Sequence, residues 1–271
     1  MTLHRIRLAL ADLAARLGRS VPPEARASAE AAAPVESLDL AATFRDPAIE
    51  TAWTAAERRI AVLGLSSEGG MNPGDRRALY YLIRRLRPER VLEIGTLAGA
   101  STVHLAAGLA DAWAESPARR LLTVDIVDVN DSERAAWRRL GLAQSPRQAM
   151  ERLGLGALVE FRTARSLELL AQPGEAYDLI FLDGDHRLET VVVEIPAALA
   201  RLRPGGLLLL HDYFPDLRSL WPDGKVIDGP ARAVRRLQRA GWPIAVQPLG
   251  ELPWPTKQGT RWTSLAVLGR S

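Results

Sequence analysis

From Pro88 onward, short apolar runs alternate with helical stretches, and this alternation constrains the fold more than any other feature of the chain. Between the runs, apolar residues recur at helical spacing. The five runs are RVLEIG from Arg90, LLTVDIV from Leu121, LVEFRTA from Leu158, YDLIFLDG from Tyr177 and GLLLLHD from Gly206. Strands that are apolar along their whole length are typical of a sheet covered on both faces. The pattern predicts an α/β fold with a doubly wound, mostly parallel sheet.

Further elements flank this alternating region. Toward the C-terminus, a helical stretch near Ala231 to Ala240 precedes two strand-like runs, Pro243 to Leu249 and Thr263 to Gly269, which bring the predicted sheet to seven strands. Toward the N-terminus, apolar spacing predicts extra helices over Ile49 to Leu63 and Gly74 to Leu86. We also expect one long helical stretch between the second and third strands, from Ser132 to Leu153.

The first part of the chain differs in composition. The opening MTLHRIRLALADLAARLG predicts an amphipathic helix, because Asp12 and Arg16 interrupt the apolar stretch that a signal peptide needs. Residues from about Ser20 to Ser37 are rich in Ala, Pro and Glu, which indicates a connector. We therefore predict an N-terminal arm or lid over residues 1–70 and a sheet domain over residues 71–271. The first helix is expected either to mediate a homo-oligomer or to fold over the site.

Composition excludes several classes of function. The chain has no cysteine, so it has no disulfide, no thiolate metal site and no cysteine nucleophile. The formal charge is only 35 − 32 = +3, and the arginines occur singly or in pairs on helical patterns, which indicates no nucleic-acid partner. No run is long enough to span a membrane, so we expect a cytoplasmic protein.

Two of the predicted strands end in acidic and imidazole side chains. Asp183, Asp185 and His186 follow the fourth strand, and His211 and Asp212 follow the fifth. In open parallel sheets, ligands bind beyond the carboxyl ends of the strands, near the point where the strand order reverses. The two groups of polar residues therefore predict a site on that rim.

A glycine turn follows the first strand, in VLEIGTLAGAST from Val91 to Thr102. Gly95 permits a tight turn, Gly99 permits close approach of a ligand, and the following helix start offers free N–H groups. The dinucleotide-binding fingerprint needs glycine where this chain has Leu97, which disfavours a hydride-transfer enzyme. Glu93, inside the strand, suits a cationic ligand better than a pyrophosphate.

From Gly69 to Asp212 these residues resemble the class I S-adenosylmethionine-dependent methyltransferases, a family whose sheet has an antiparallel last strand. The resemblance implies that S-adenosylmethionine is the cofactor and assigns its contacts residue by residue. Glu93 would lie near the methionine ammonium group. The turn from Gly95 to Gly99 would surround the methionine and the ribose, together with Ser101. Asp125 would hold the ribose hydroxyls. Ser166 would lie near the adenine, or alternatively serve as a helix N-cap.

Within that class, FLDGDH and LLLLHD are most similar to the metal-dependent O-methyltransferases of the catechol and antibiotic-tailoring type. The resemblance implies a divalent metal on Asp183, His211 and Asp212. Mg²⁺ is the usual ion, but His211 stands where the family has an acid or amide, and imidazole suits Mn²⁺ or another transition metal better. His211 could instead bond the substrate or the backbone. His186 is the favoured general base and Asp185 the alternative.

The expected reaction is methyl transfer to a small hydroxylated acceptor, such as a catechol, a sugar or a natural-product intermediate. Two other readings stay open: a metal-independent methyltransferase of the same fold, and a cofactor-binding partner protein without catalysis. Glu194 could suggest a further metal ligand, but its place within a helix favours a solvated face.

Overall fold

The computed structural model describes residues 27, 29–35, 38–65, 70–113, 119–133 and 136–270. Within them, helices α1 to α9 span Leu40–Thr43, Pro47–Ala61, Pro73–Leu86, Ala100–Ala112, Ala136–Arg139, Pro146–Arg152, Ser166–Ala171, Leu188–Leu199 and Gly229–Arg239. Strands β1 to β7 span Arg90–Ile94, Arg120–Asp125, Val159–Thr163, Tyr177–Leu182, Leu202–Leu210, Ile244–Pro248 and Ala266–Arg270. None of the described helices combines the length and apolar character that crossing a bilayer requires.

The strands form one seven-stranded sheet in the order β3-β2-β1-β4-β5-β7-β6. Neighbouring strands are parallel except that β7 runs antiparallel to both β5 and β6. This arrangement confirms the predicted doubly wound sheet with an antiparallel last strand. The strand order reverses between β1 and β4, where Ile94 pairs with Leu182 and the Asp183 N–H donates to the Ile94 carbonyl at 2.9 Å. A ligand crevice is therefore expected beyond these two strand ends.

Both faces of the sheet are covered by hydrophobic layers, as continuous apolar strands require. Side chains alternate along β1, so Val91 belongs to the layer that includes α2, α3 and α4, and Leu92 to the layer that includes α8 and α9. Glu93 lies on the same face as Val91 and is fully buried. A carboxylate is thus placed inside the sheet core, near the strand end where the crevice is expected.

Helix α3 has strong start signals in the sequence. Asn72 caps it by accepting a hydrogen bond from the Asp75 N–H at 3.0 Å, and Pro73 occupies its first position. Every residue from Ala78 to Ile83 is fully buried, so α3 lies inside the protein and carries Asp75 with it. The predicted helix over Gly74 to Leu86 is confirmed.

The predicted long helix between β2 and β3 is wrong. The chain forms two short helices, Ala136–Arg139 and Pro146–Arg152, separated by a loop that contains Gly141 with φ +70°. The second helix starts at a capping box made by Ser145 and Gln148, with Pro146 at its first position. These are start signals that apolar periodicity alone does not register.

The predicted first helix and much of the connector lie outside the described residues. From Leu38 the chain packs into the same hydrophobic layer as the sheet, through Phe44, Ile49 and Trp53. The boundary at residue 70 between an arm and the sheet domain stays a prediction, as does oligomer formation through the first helix.

Candidate active site

The predicted polar residues converge where β1, β4 and β5 end. His186 Nε2 lies 3.4 Å from Asp212 Oδ2 and 4.0 Å from Asp183 Oδ1. Asp183, His186 and Asp212 each offer one ligand atom, and these atoms lie within 4.8 Å of one another. His211 approaches the same carboxylates from inside, with Nδ1 2.8 Å from Asp183 Oδ1. Four side chains from two strand ends thus form one cluster.

Backbone geometry makes this convergence possible. Gly95 has φ +101°, and a Cβ at this position would lie 2.2 Å from the Asp183 carbonyl oxygen, so only glycine lets β1 pass this close to the end of β4. Asp212 also has a positive φ, +52°, which aspartate tolerates better than most residues. Its Oδ1 accepts a hydrogen bond of 3.4 Å from the Ser264 hydroxyl just before β7.

His211 is almost enclosed, with 10% of its side chain exposed. Burial alone would lower the pKa of the imidazole, but the Asp183 and Asp212 carboxylates raise this pKa well above its ordinary value. The concentrated negative charge that favours a proton at this position would equally favour a metal cation.

Asp185 is held away from this cluster. It accepts hydrogen bonds from the Arg187 backbone N–H at 2.9 Å, from the Arg187 guanidinium and from the Thr190 hydroxyl at 2.8 Å. The hydrogen bonds from Arg187 lower the pKa of Asp185 far below its ordinary value. An anion held this way is a poor general base, so the geometry favours His186, whose side chain is 32% exposed.

The carboxylate of Glu93 faces the start of α4. Glu93 Oε2 accepts hydrogen bonds from the hydroxyls of Thr102 at 2.6 Å and Thr123 at 2.7 Å. Oε1 has no partner with good hydrogen-bond geometry among the described residues, although the Ser101 hydroxyl also interacts with this carboxylate. Burial raises the pKa of Glu93 to about 7, although the Ser101, Thr102 and Thr123 hydroxyls counteract it. A buried acceptor without a donor is costly, and a cationic ligand would satisfy it.

The glycine turn leads directly into α4. Gly99 occupies the N-cap position with φ +79° and provides no side-chain cap, which leaves the first N–H groups of the helix available. Ser101 lies buried in this first turn. At the end of β2, Asp125 Oδ2 accepts a hydrogen bond of 2.9 Å from the Leu97 N–H and so ties the turn to the neighbouring strand.

Ser166 begins α7 but does not cap it, because Arg165 occupies the N-cap position. The Ser166 hydroxyl donates instead to Glu194. The prediction that Glu194 lies on a solvated face is wrong, since this residue is only 2% exposed. Burial raises the pKa of Glu194, and the bond from Ser166 partly compensates. Helix α8 is buried where it packs on the sheet. The hydrogen bond from Ser166 on α7 reduces the cost of burying the Glu194 carboxyl there.

The structure adds a group of exposed apolar residues that the sequence reasoning missed. They follow the carboxyl ends of β1, β2 and β3: Leu97 at 44% exposure, Ile126 at 72%, Val127 at 49% and Leu167 at 37%. Exposed apolar side chains at neighbouring strand ends are typical of a surface that a ligand covers. The sequence contained a signal for these exposed residues, because two apolar side chains, Ile126 and Val127, directly follow the acid that ends β2.

Comparisons with known proteins identify relatives of this chain. Residues 92–213 match a family model described as a methyltransferase domain. Catechol O-methyltransferase from Mycobacterium tuberculosis (strain ATCC 25618 / H37Rv) is 26% identical over 220 residues, which cover 76% of this chain and 89% of that protein. A protein of Mycobacterium sp. (strain JLS), whose name assigns it to the O-methyltransferases, is 31% identical over 195 residues, covering 70% of this chain and 76% of its own.

Among solved structures, an O-methyltransferase from Bacillus cereus in complex with SAH superposes with a TM-score of 0.53 at 22% identity, covering 84% of this chain and 92% of that one. This likeness shows the shared fold. The mycobacterial relatives, one of them 31% identical, extend it to the family. The chain therefore belongs to the class I S-adenosylmethionine-dependent O-methyltransferases of the catechol O-methyltransferase type.

Proposed function

We propose that this enzyme methylates one hydroxyl of a small chelating acceptor, such as a catechol, a sugar diol or a natural-product intermediate, at a divalent metal site. The observation that carries the proposal is the convergence of the Asp183 and Asp212 carboxylates with His186 and His211 at the point where the strand order reverses. A vicinal pair of oxygens is the acceptor chemistry that such a site would favour.

The donor set fits a divalent cation. Asp183 and Asp212 supply carboxylate oxygens from two strand ends, and His211 Nδ1 lies beside both of them. When bound, a divalent ion would draw the acceptor oxygens together and lower the pKa of the hydroxyl. The protein's own contribution is to hold the acceptor in one orientation and exclude others.

His186 is the proposed general base. Its Nε2 lies 3.4 Å from Asp212 Oδ2, which can orient the ring, and its exposed part can reach an acceptor in the crevice. In this role the imidazole takes the proton of the hydroxyl that becomes methylated.

The cofactor contacts are proposals of the same kind. Glu93 Oε1 would accept from the methionine ammonium, Gly95, Gly99 and Ser101 would surround the methionine and ribose, and Asp125 would hold the ribose hydroxyls. Ser166 would lie near the adenine. The exposed apolar residues after β2 and β3 support this placement, since a nucleoside there would cover them.

Binding of S-adenosylhomocysteine is expected to release a proton. Because burial raises the pKa of Glu93 to about 7 and a nearby ammonium favours the carboxylate, the ligand selects the deprotonated form. Affinity should therefore rise from about pH 5 to about pH 7, by up to about tenfold per pH unit, and then level off. Calorimetry in two buffers of different ionisation enthalpy measures the released proton. Glu93→Gln should remove both the proton release and the slope, and an affinity independent of pH in the unaltered protein would contradict the assignment.

Removal of the metal tests the mechanism directly. Chelator-treated enzyme should lose methyl transfer to a catechol by a factor of at least about 100, because the metal supplies several kcal/mol of charge stabilisation. Added Mg²⁺ or Mn²⁺ should restore transfer, whereas calorimetry should show S-adenosylhomocysteine binding unchanged. Full activity after chelation would instead support the metal-independent mechanism, with His186 acting alone. Cofactor binding without turnover of any acceptor would support the non-catalytic reading.

A further inference from the structure

The two ring nitrogens of His211 face different carboxylates. Nδ1 lies 2.8 Å from Asp183 Oδ1 and 3.5 Å from Asp212 Oδ1, and it has no hydrogen-bond partner of normal geometry among the described residues. Nδ1 and the two carboxylates would therefore be close enough to hold one cation together. On the other side of the ring, Nε2 lies 3.3 Å from Asp75 Oδ2.

Asp75 is fully buried in the first turn of α3, and several contacts hold it in place. The Asn72 amide donates to Asp75 Oδ2 at 2.7 Å. The Trp254 indole donates to the Gly74 carbonyl at 3.0 Å, and a Cβ on Gly74 would lie 2.4 Å from the Pro255 carbonyl oxygen. The start of α3 is therefore packed tightly against the segment between β6 and β7. This packing holds the Asp75 carboxylate next to His211.

We infer that Asp75 is a positioning residue that accepts the Nε2–H of His211 and so directs Nδ1, as a ligand, toward a cation held by Asp183 and Asp212. Histidine ligands in metalloproteins almost always donate their other ring N–H to such an outer acceptor, which fixes the tautomer and the ring plane. The inference rests on the proposed metal-dependent function. It leaves His186 free as the base.

This arrangement also predicts which cation binds. A site of two carboxylates and one imidazole favours first-row transition metals over Mg²⁺, since imidazole nitrogen is a softer ligand than oxygen. We expect Mn²⁺ to bind at least about tenfold more tightly than Mg²⁺. In His211→Asp, which keeps an anionic ligand but removes the nitrogen, the preference should shrink toward equality.

The test is electron spin echo spectroscopy of full-length protein loaded with Mn²⁺ and S-adenosylhomocysteine. The unaltered protein should show modulation from one directly bound ¹⁴N, which should persist in His186→Gln and vanish in His211→Gln. Asp75→Asn should weaken Mn²⁺ binding by about 10- to 100-fold while S-adenosylhomocysteine binding stays unchanged. The matched control is Asp111→Asn, which removes a helix-borne acid that pairs with Arg59 and Tyr80. Its Mn²⁺ affinity should stay at the unaltered value.

Each contrary result has a separate meaning. Modulation that disappears in His186→Gln and survives in His211→Gln would overturn the inference by making His186 the ligand. Tight Mn²⁺ binding with no ¹⁴N modulation would overturn it by showing an all-oxygen site. Both results would leave metal dependence intact. If neither Mg²⁺ nor Mn²⁺ bound to protein that takes up S-adenosylhomocysteine, the proposed metal mechanism would be wrong, and this inference with it. An Mn²⁺ affinity of Asp75→Asn equal to that of the unaltered protein would overturn the role of Asp75, even with His211 as the ligand. If Asp75→Asn does not fold, Asp75→Ser, whose side chain is too short to accept the Nε2–H of His211, is expected to give the same loss of Mn²⁺ affinity, and an unchanged affinity in Asp75→Ser would overturn the role of Asp75 equally.

Discussion

Asp183→Asn is expected to lower kcat/KM for a catechol acceptor by about 10³-fold, the equivalent of several kcal/mol of lost charge stabilisation. Asp183 follows β4 at the centre of the sheet and, like Asp212, contacts both His211 and His186. Asparagine has nearly the same shape, but it removes the negative charge that a cation needs. Calorimetric titration of Mg²⁺ and Mn²⁺, together with steady-state kinetics, measures both losses.

The control for this variant lies on the same strand. Asp178, at the other end of β4, accepts hydrogen bonds from the Glu89 and Arg90 N–H groups at 2.9 and 2.8 Å. Asp178→Asn should lower stability and leave metal affinity unchanged. If Asp183→Asn kept its affinity for both metals, the cation site would not be where the carboxylates converge.

The second large effect is expected at the proposed base. His186→Gln should lower kcat by about 10²- to 10⁴-fold near neutral pH, while metal and S-adenosylhomocysteine affinities stay within about twofold. The loss should shrink as the pH rises, because hydroxide in solution increasingly replaces the missing base. Rates of methyl transfer at saturating cofactor, measured across a range of pH, give this profile.

Asp185→Asn is the matched neighbour for that comparison. Asp185 bonds to Arg187 and Thr190, so its replacement should cost about 1 kcal/mol of stability and change kcat by less than about fivefold. The reverse outcome, a large loss in Asp185→Asn and a small one in His186→Gln, would make Asp185 the base.

The sheet and the location of the site were predictable because their signals are local. Apolar runs alternating with helical periods require a sheet covered on both faces, and parallel strands place all their carboxyl ends on one rim. Asp183, His186, His211 and Asp212 had to meet there once the strands around them were recognised. The start of a new helix at Ser145 and Pro146 was missed. A capping box begins a new helix without changing the spacing of the apolar residues, and that spacing was the basis of the prediction.

Other features depended on contacts between residues far apart in the chain. Glu194 looked solvated because periodicity does not show that Ser166 donates to it from another helix. Asp75 carried no signal of its own, since its partner His211 is 136 residues away.

By itself, the sequence determined the fold class, the glycine turn and the rim that gathers the acids and imidazoles, because periodicity and strand ends are properties of neighbouring residues. Only the tertiary structure decided which ring nitrogen of His211 faces Asp183 and which carboxylate lies on the other side of the ring. Such choices depend on distances of a few ångströms between separate elements, and these distances arise only when the sheet and its helices pack.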